Sequence, residues 1–231
     1  MIDNSLKAYT QKYDQENYGL QYPDGHVIRF YERILKYKLN KTNGNILDFG
    51  CGNGIHSKYF HTKGFKTFGV DIVESLNNTW KNDPNIDENN FHVIKPNASI
   101  KDLFSEKMDL IFANQSLYYL PLEDFKKTIQ EFYDICNDGA IIFATMMSDK
   151  GYSAFERSEP LENALVEVKS ICETSDRLKE SPSSFMRFTK DIEQLKEDFK
   201  PFKPLFWGDY ELMNLHNFEG SVEHYIYIGQ K

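Results

Sequence analysis

The sequence predicts an α/β fold: a doubly wound, mostly parallel seven-stranded sheet. Three observations predict it. Short apolar runs alternate with amphipathic helical segments from Asn45 to Thr145. The runs are nearly continuous in apolar residues, the pattern of strands covered by helices on both faces. Two aromatic-rich runs with no helix between them end the chain, so they pair antiparallel at the sheet edge.

The first 44 residues read as an N-terminal helical extension and 45–231 as the main domain, with a helical insertion over about 150–200. In the extension, Tyr9, Tyr13, Tyr18 and Tyr22 stand among polar residues, and Pro23-Asp24-Gly25 is a turn. Ile28, Tyr31, Ile34 and Leu35 then repeat at helical spacing over Val27 to Leu39, and Asn43-Gly44 breaks that helix. Asn45 to Phe49 is the first strand, and Ile55 to His61 a helix with Ile55, Tyr59 and Phe60 inward. Lys66 to Val70 is the second strand, Ser75 to Lys81 a helix stopped by Asp83-Pro84, and Phe91 to Ile94 the third strand. A short helix over Ile100 to Phe104 precedes the fourth strand, Asp109 to Ala113. Phe125, Ile129, Phe132 and Cys136 form one face of a helix opened by Glu123 and Asp124, whose charges suit a helix start. Asp138-Gly139 turns into the fifth strand, Ala140 to Thr145. Leu161, Leu165, Val168 and Cys172 mark a helix, as do Ile192, Leu195 and Phe199. Leu205 to Leu212 and Val222 to Ile228 are the closing strand pair.

Bulk properties narrow the function classes. The formal charge is 27 − 35 = −8, and no basic tract offsets it, which disfavours nucleic acid as partner. No apolar run approaches the roughly 20 residues of a membrane span, so no membrane partner is expected. Cys51, Cys136 and Cys172 are far apart and form no CxxC pair, in keeping with a cytoplasmic protein. His56, His61, His92, His216 and His224 form no ligand spacing with acids or cysteines, so no metal is expected. Oligomeric state is not legible here.

The sharpest signal is Ile46-Leu47-Asp48-Phe49-Gly50-Cys51-Gly52-Asn53-Gly54. An apolar strand runs into alternate glycines and then a helix, so the backbone turns tightly where a ligand can approach it. Asp48, before the first glycine, would repel a pyrophosphate and attract a cation. Asp71 ends the next strand at about the 20-residue spacing of a ribose-binding acid. A nicotinamide-binding loop would read GxGxxG, and this one does not.

Leu47 to Gly54 resembles motif I of the class I S-adenosylmethionine-dependent methyltransferases, which have a Rossmann-like fold. Phe68-Gly69-Val70-Asp71-Ile72 is similar to their ribose-binding element, and Asp109 to Leu120 to their fourth strand and following loop. Asp138 to Phe143 resembles the turn into their fifth strand. The resemblance implies that Asp48, Gly50, Cys51, Gly52, Gly54 and Asp71 hold the cofactor, that Ile72 packs on adenine, and that Asn114 and Gln115 lie beside its methionine part. Asn97-Ala98 stands where the family often has an acid and a small residue for the adenine amino group. Cys51 fills a position small residues commonly occupy. Arg29 is expected to pair with the cofactor carboxylate, with Tyr13 and Tyr18 near the sulfonium. His26 and Tyr18 are the candidates for a general base. The implied activity is methylation of a small polar molecule, such as a sugar or other metabolite. The alternatives are a non-catalytic S-adenosylmethionine-binding sensor or scaffold and, further off, an NAD-dependent oxidoreductase.

Overall fold

The computed structural model describes residues 2–14, 19–96, 98–150, 155–170, 183–211 and 223–231. Tyr18, Asn97, Cys172 and His216, singled out above, lie outside the described residues.

The sheet is built as its sequence pattern requires. It comprises β1 (Gly44–Phe49), β2 (Phe65–Asp71), β3 (Phe91–Val93), β4 (Met108–Ala113), β5 (Cys136–Met147), and the late strands β9 (Lys203–Glu211) and β10 (Glu223–Gln230). Their order is β3-β2-β1-β4-β5-β10-β9. The first five run parallel, and β10 runs antiparallel to both β5 and β9. The chain leaves β1 on one side to make β2 and returns on its other side to make β4. That reversal opens a crevice at the carboxyl ends of β1 and β4, where open α/β sheets hold ligands.

Successive strand residues serve opposite faces, because side chains alternate across a strand. Leu47, Ile111, Ile142 and Tyr227 pack with Phe125, Ile129 and Phe132 of α5 (Leu122–Ile135) and Leu195 of α6 (Ile192–Asp198). Their neighbours Ile46, Leu110, Ile141 and Ile228 pack with Phe60 of α3 (Ile55–Thr62) and with Val27, Phe30, Tyr31 and Leu35. The latter four lie on α2 (Gly25–Arg29) and a π-helical turn, Phe30–Leu35. Part of the N-terminal extension is thus core of the main domain. A third cluster joins Trp80 and Leu76 of α4 (Leu76–Lys81) to Cys51 and Phe91.

The structure departs from the sequence reading in four places. Cys136, expected at the end of a helical face, opens β5 instead, because the helix ends at Ile135. Ile28, expected inward, is 39% exposed; Val27 and Phe30 take the core face, because the helix starts two residues early and then widens into the π-turn. Residues 100–104 form turns, not a helix. The largest correction is Leu161 to Val168, read as helical. Val166–Ser170 is β7, the centre of a small antiparallel sheet with β6 (Phe155–Arg157) and β8 (Ser184–Met186). Leu165 and Val168 are buried in either geometry, so a spacing of three does not discriminate. The helical insertion therefore contains a three-stranded sheet and, of helices among the described residues, only α6.

Among the described residues no helix is long and apolar enough to cross a membrane. The fold rests on its two-faced sheet. Phe112, fully buried against Phe60 and Phe143, is a sensitive point. Phe112→Ala is expected to cost about 3–5 kcal/mol, read as a lower urea midpoint with unchanged slope.

Candidate active site

The site is built on the turn from β1 into α3. Gly50 and Cys51 donate their backbone N–H groups to the Val70 carbonyl at 2.8 and 3.1 Å, which bends the chain off the sheet. Gly50 has φ +74°, and a Cβ there would lie 2.5 Å from Cβ of Ser116. Gly52 has φ +52°, and a Cβ on it would collide with the Tyr13 hydroxyl. Both positions need glycine for conformation and for space. Gly54 is the residue from which α3 starts.

Asp71 at the end of β2 holds this loop. Its Oδ2 accepts from the Gly52 N–H at 2.9 Å, and its Oδ1 accepts from Ile72 and Val73 at 2.8 and 3.1 Å. Burial raises its pKa, and those three bonds oppose the rise. From the other side, Trp80 Nε1 donates to the Gly52 carbonyl at 2.9 Å.

Above the loop is a cleft of about 680 Å³. It is bordered by Gly50, Cys51 and Gly52, by Asp71 and Ile72, and by Asn114 and Gln115, so these seven predicted residues meet in one place. Tyr9 and Tyr13 of α1 (Ile2–Tyr13) roof it, and the Tyr9 hydroxyl donates to that of Tyr119. Ile72 and Ile94 also border a smaller apolar cavity of about 80 Å³ that reaches Ala98. Cys51 is buried, and that burial keeps its thiol protonated far above the ordinary range, so it packs rather than attacks.

Asp48 lies beneath the loop and not in the cleft wall. It is 2% exposed and accepts from Ser57 Oγ at 2.6 Å. Burial pushes its carboxyl up to about 6, although His56 and Ser57 favour the ionised form.

A polar cluster closes the β4 end. Asp24 Oδ2 accepts from Asn114 Nδ2 at 3.1 Å and lies 3.4 Å from His56 Nε2. Asn114 Oδ1 stands 2.8 Å from His26 Nε2. The His26 ring stacks on Tyr210 at 4.1 Å, and Gln115 Nε2 donates to the Tyr210 hydroxyl at 3.2 Å. His26 thus reaches the site through Asn114, without bordering the cleft itself. Arg29 does not reach it. With Val27 and Phe30 turned to the core, Arg29 is exposed and absent from the cleft wall, so the carboxylate pairing expected of it has no geometric basis here. Among the described residues, no three His, Cys, Asp or Glu side chains converge as a metal site would need.

Sequence reasoning missed Asp24, His56, Ser57, Trp80 and Tyr210. Asp24 lies in a Pro-Asp-Gly turn, and a turn acid carries no mark of its target. Tyr210 is brought near by the sheet alone, through β9 and β10.

A family model described as a methyltransferase domain matches residues 20–178. The chain belongs to that family. No curated protein sequence matches it. Several solved methyltransferases share its fold at low identity. One is an S-adenosylmethionine-dependent methyltransferase from Methanosarcina mazei, 16% identical, with TM-score 0.62 over 84% of this chain and 97% of that one. The N-methyltransferase NodS from Bradyrhizobium japonicum, solved with S-adenosylhomocysteine, is 10% identical, with TM-score 0.59 over 99% of each chain. A Burkholderia thailandensis 1,6-didemethyltoxoflavin N1-methyltransferase is 16% identical, with TM-score 0.56 over 90% of this chain and 79% of that one.

The buried acid of this methyltransferase domain has a measurable signature. The folded chain keeps a proton on Asp48 up to about pH 6, whereas an unfolded aspartate releases it near pH 3.9. Folding is therefore favoured below that window and loses stability as pH rises through it. Asp48→Asn abolishes this loss, so its stability relative to the parent is expected to gain about 2 kcal/mol between pH 4 and pH 7. Urea titrations at the two pH values check it; a constant difference would show that Asp48 does not titrate in the window.

Proposed function

We propose that the chain transfers a methyl group from S-adenosylmethionine to a small polar acceptor, such as a sugar or other metabolite. The observation that carries this reading is the charge of the cleft. Among the described residues that border it there are Asp24 and Asp71 and no Lys or Arg. Such a wall suits a cationic nucleoside and opposes a pyrophosphate. The other features fit the same ligand. The glycines at positions 50 and 52 leave room where side chains would stand. Asp71 would take the ribose hydroxyls, Ile72 and Ala98 would flank the adenine, and Asn114 and Gln115 would lie beside the methionine part. Bound there, the sulfonium supplies an already activated methyl group for direct displacement. The protein's share is then alignment and exclusion of water, the latter by the tyrosine roof from α1. The two described cysteines, Cys51 and Cys136, are free and buried, in keeping with a cytoplasmic site of action.

An acceptor hydroxyl or ammonium must also lose a proton. His26 is the proposed base; its ring stands behind Asn114, so it would take the proton through one bridging water. Asn114 gives its amide hydrogens to Asp24 and so turns its oxygen to His26. That orientation places the imidazole proton on Nε2 and leaves Nδ1 bare. Burial lowers the His26 pKa; Asn114 and Asp24 oppose this, and His56 and Arg29 reinforce it, with Tyr210 stacked on the ring. The ring is therefore neutral, and a base, down to a lower pH than an ordinary histidine.

Four measurements test these readings. Thermal unfolding is expected to shift upward with S-adenosylmethionine and with S-adenosylhomocysteine, but not with NAD; a shift with NAD alone would refute the cofactor assignment. Labelled cofactor incubated with a metabolite extract separates an enzyme from a sensor, since a sensor binds without forming product. With an acceptor in hand, turnover should fall as pH drops below the depressed His26 pKa, giving an acid limb below the ordinary value of about 6.5. His26→Asn should lower turnover by roughly 100-fold or more and remove that limb, with S-adenosylhomocysteine binding retained. A variant with full turnover and the same limb would clear His26.

A further inference from the structure

The two ends of the cleft carry different carboxylates. Asp71 stands on β2, where its carboxylate accepts from three backbone N–H groups. Asp24 stands on the opposite side of β1. It hangs from the turn before α2 and is tied to Asn114, the residue after β4, and to His56 in the first turn of α3. A ligand whose ribose sits at Asp71 and which crosses the β1 loop must bring its other end to Asp24. Of the sulfonium nucleoside, that end is the amino acid.

Asp24 is not saturated where it stands. Only Oδ2 is engaged, by Asn114 Nδ2 at 3.1 Å. The His56 contact is divided. Its Nε2 lies 3.3 Å from the Asp24 backbone N–H and 3.4 Å from Oδ2, and one ring nitrogen cannot accept from the first and donate to the second. Oδ1 has no hydrogen bond among the described residues. The Asp24 side chain is 21% exposed and borders the cleft, so its charge is partly shielded from water but open to a ligand. Around it the described cleft wall offers no Lys or Arg as a competing cation.

We propose that Asp24 binds the α-ammonium group of the cofactor's amino-acid end through its open Oδ1, with Asn114 holding the carboxylate in that position. The proposal rests on the S-adenosylmethionine reading. It gives the Pro-Asp-Gly turn a function the sequence does not announce, and it makes the N-terminal segment part of the binding wall. The same Asn114 amide that fixes Asp24 also orients His26, so the ammonium site and the proposed base share one positioning residue.

Calorimetry with two uncharged-sulfur probes tests this. S-adenosylhomocysteine keeps the amino-acid end, and 5′-methylthioadenosine lacks it. For the parent chain both should bind. Asp24→Asn should weaken S-adenosylhomocysteine by roughly tenfold or more, the worth of one charge-assisted hydrogen bond, and leave 5′-methylthioadenosine unchanged. Asp24→Ser, which removes the charge with a smaller side chain, should show the same split. Equal weakening of both probes in both variants would mean that Asp24 only shapes the cleft, and no weakening of either would mean that it touches neither; each result overturns the proposal. If the parent chain bound neither probe, the cofactor reading itself would fall, and this inference with it.

Discussion

Asp71 accepts three backbone hydrogen bonds at once, from Gly52 in the β1–α3 turn and from Ile72 and Val73 in its own. That one carboxylate ties two neighbouring crossover loops together at the carboxyl end of the sheet. The parallel register of β1 and β2 brings Asp48 level with Gly69 and Phe49 level with Val70, which sets Asp71 beside the glycine loop. The Val70 carbonyl then bends the loop and the Trp80 indole holds Gly52 from behind. Everything else in the site is arranged around this clasp.

The electrostatics follow from the same construction. Asp48, Asp71 and Asp24 surround one loop, and nearby cationic capacity comes from histidines, not from lysine or arginine. Such a concentration of acid is costly unless bonded, and each carboxylate is handled differently. Asp48 is desolvated and leans on Ser57, with its pKa raised to about 6. Asp71 is solvated by backbone N–H groups in place of water. Asp24 remains partly exposed, and His56, His26 and Asn114 together hold it below the usual carboxylate range despite its burial. The resulting cleft is anionic and aromatic, a setting that stabilises a sulfonium and an ammonium.

Much of the fold was legible in the sequence because periodicity records burial. Strands β1 to β5 are apolar runs, since helices cover both faces, and α5 shows an unbroken apolar face. The failures occurred where burial and conformation part company. Leu165 and Val168 satisfy helical spacing yet sit just before β7 and on it. Ile28 satisfies it yet faces outward, because the wide π-turn lines Tyr31 and Leu35 up with Val27 instead. Arg29 has the charge that a carboxylate partner needs, yet it faces solvent beside the buried Val27 and Phe30.

By itself the sequence determined the sheet, the glycine loop and the acid on the next strand. Each is a local pattern: backbone conformation at Gly50 and Gly52, and a strand end at Asp71. Only the tertiary structure decided which side chains face the loop from afar. Asp24 meets Asn114 across 90 positions, and Tyr210 meets Gln115 across 95. No local periodicity encodes such pairs. They arise because β4 lies beside β1, and because β10 and β9 are added beyond β5. That packing turns a legible cofactor loop into an acid-lined cleft with its own histidine.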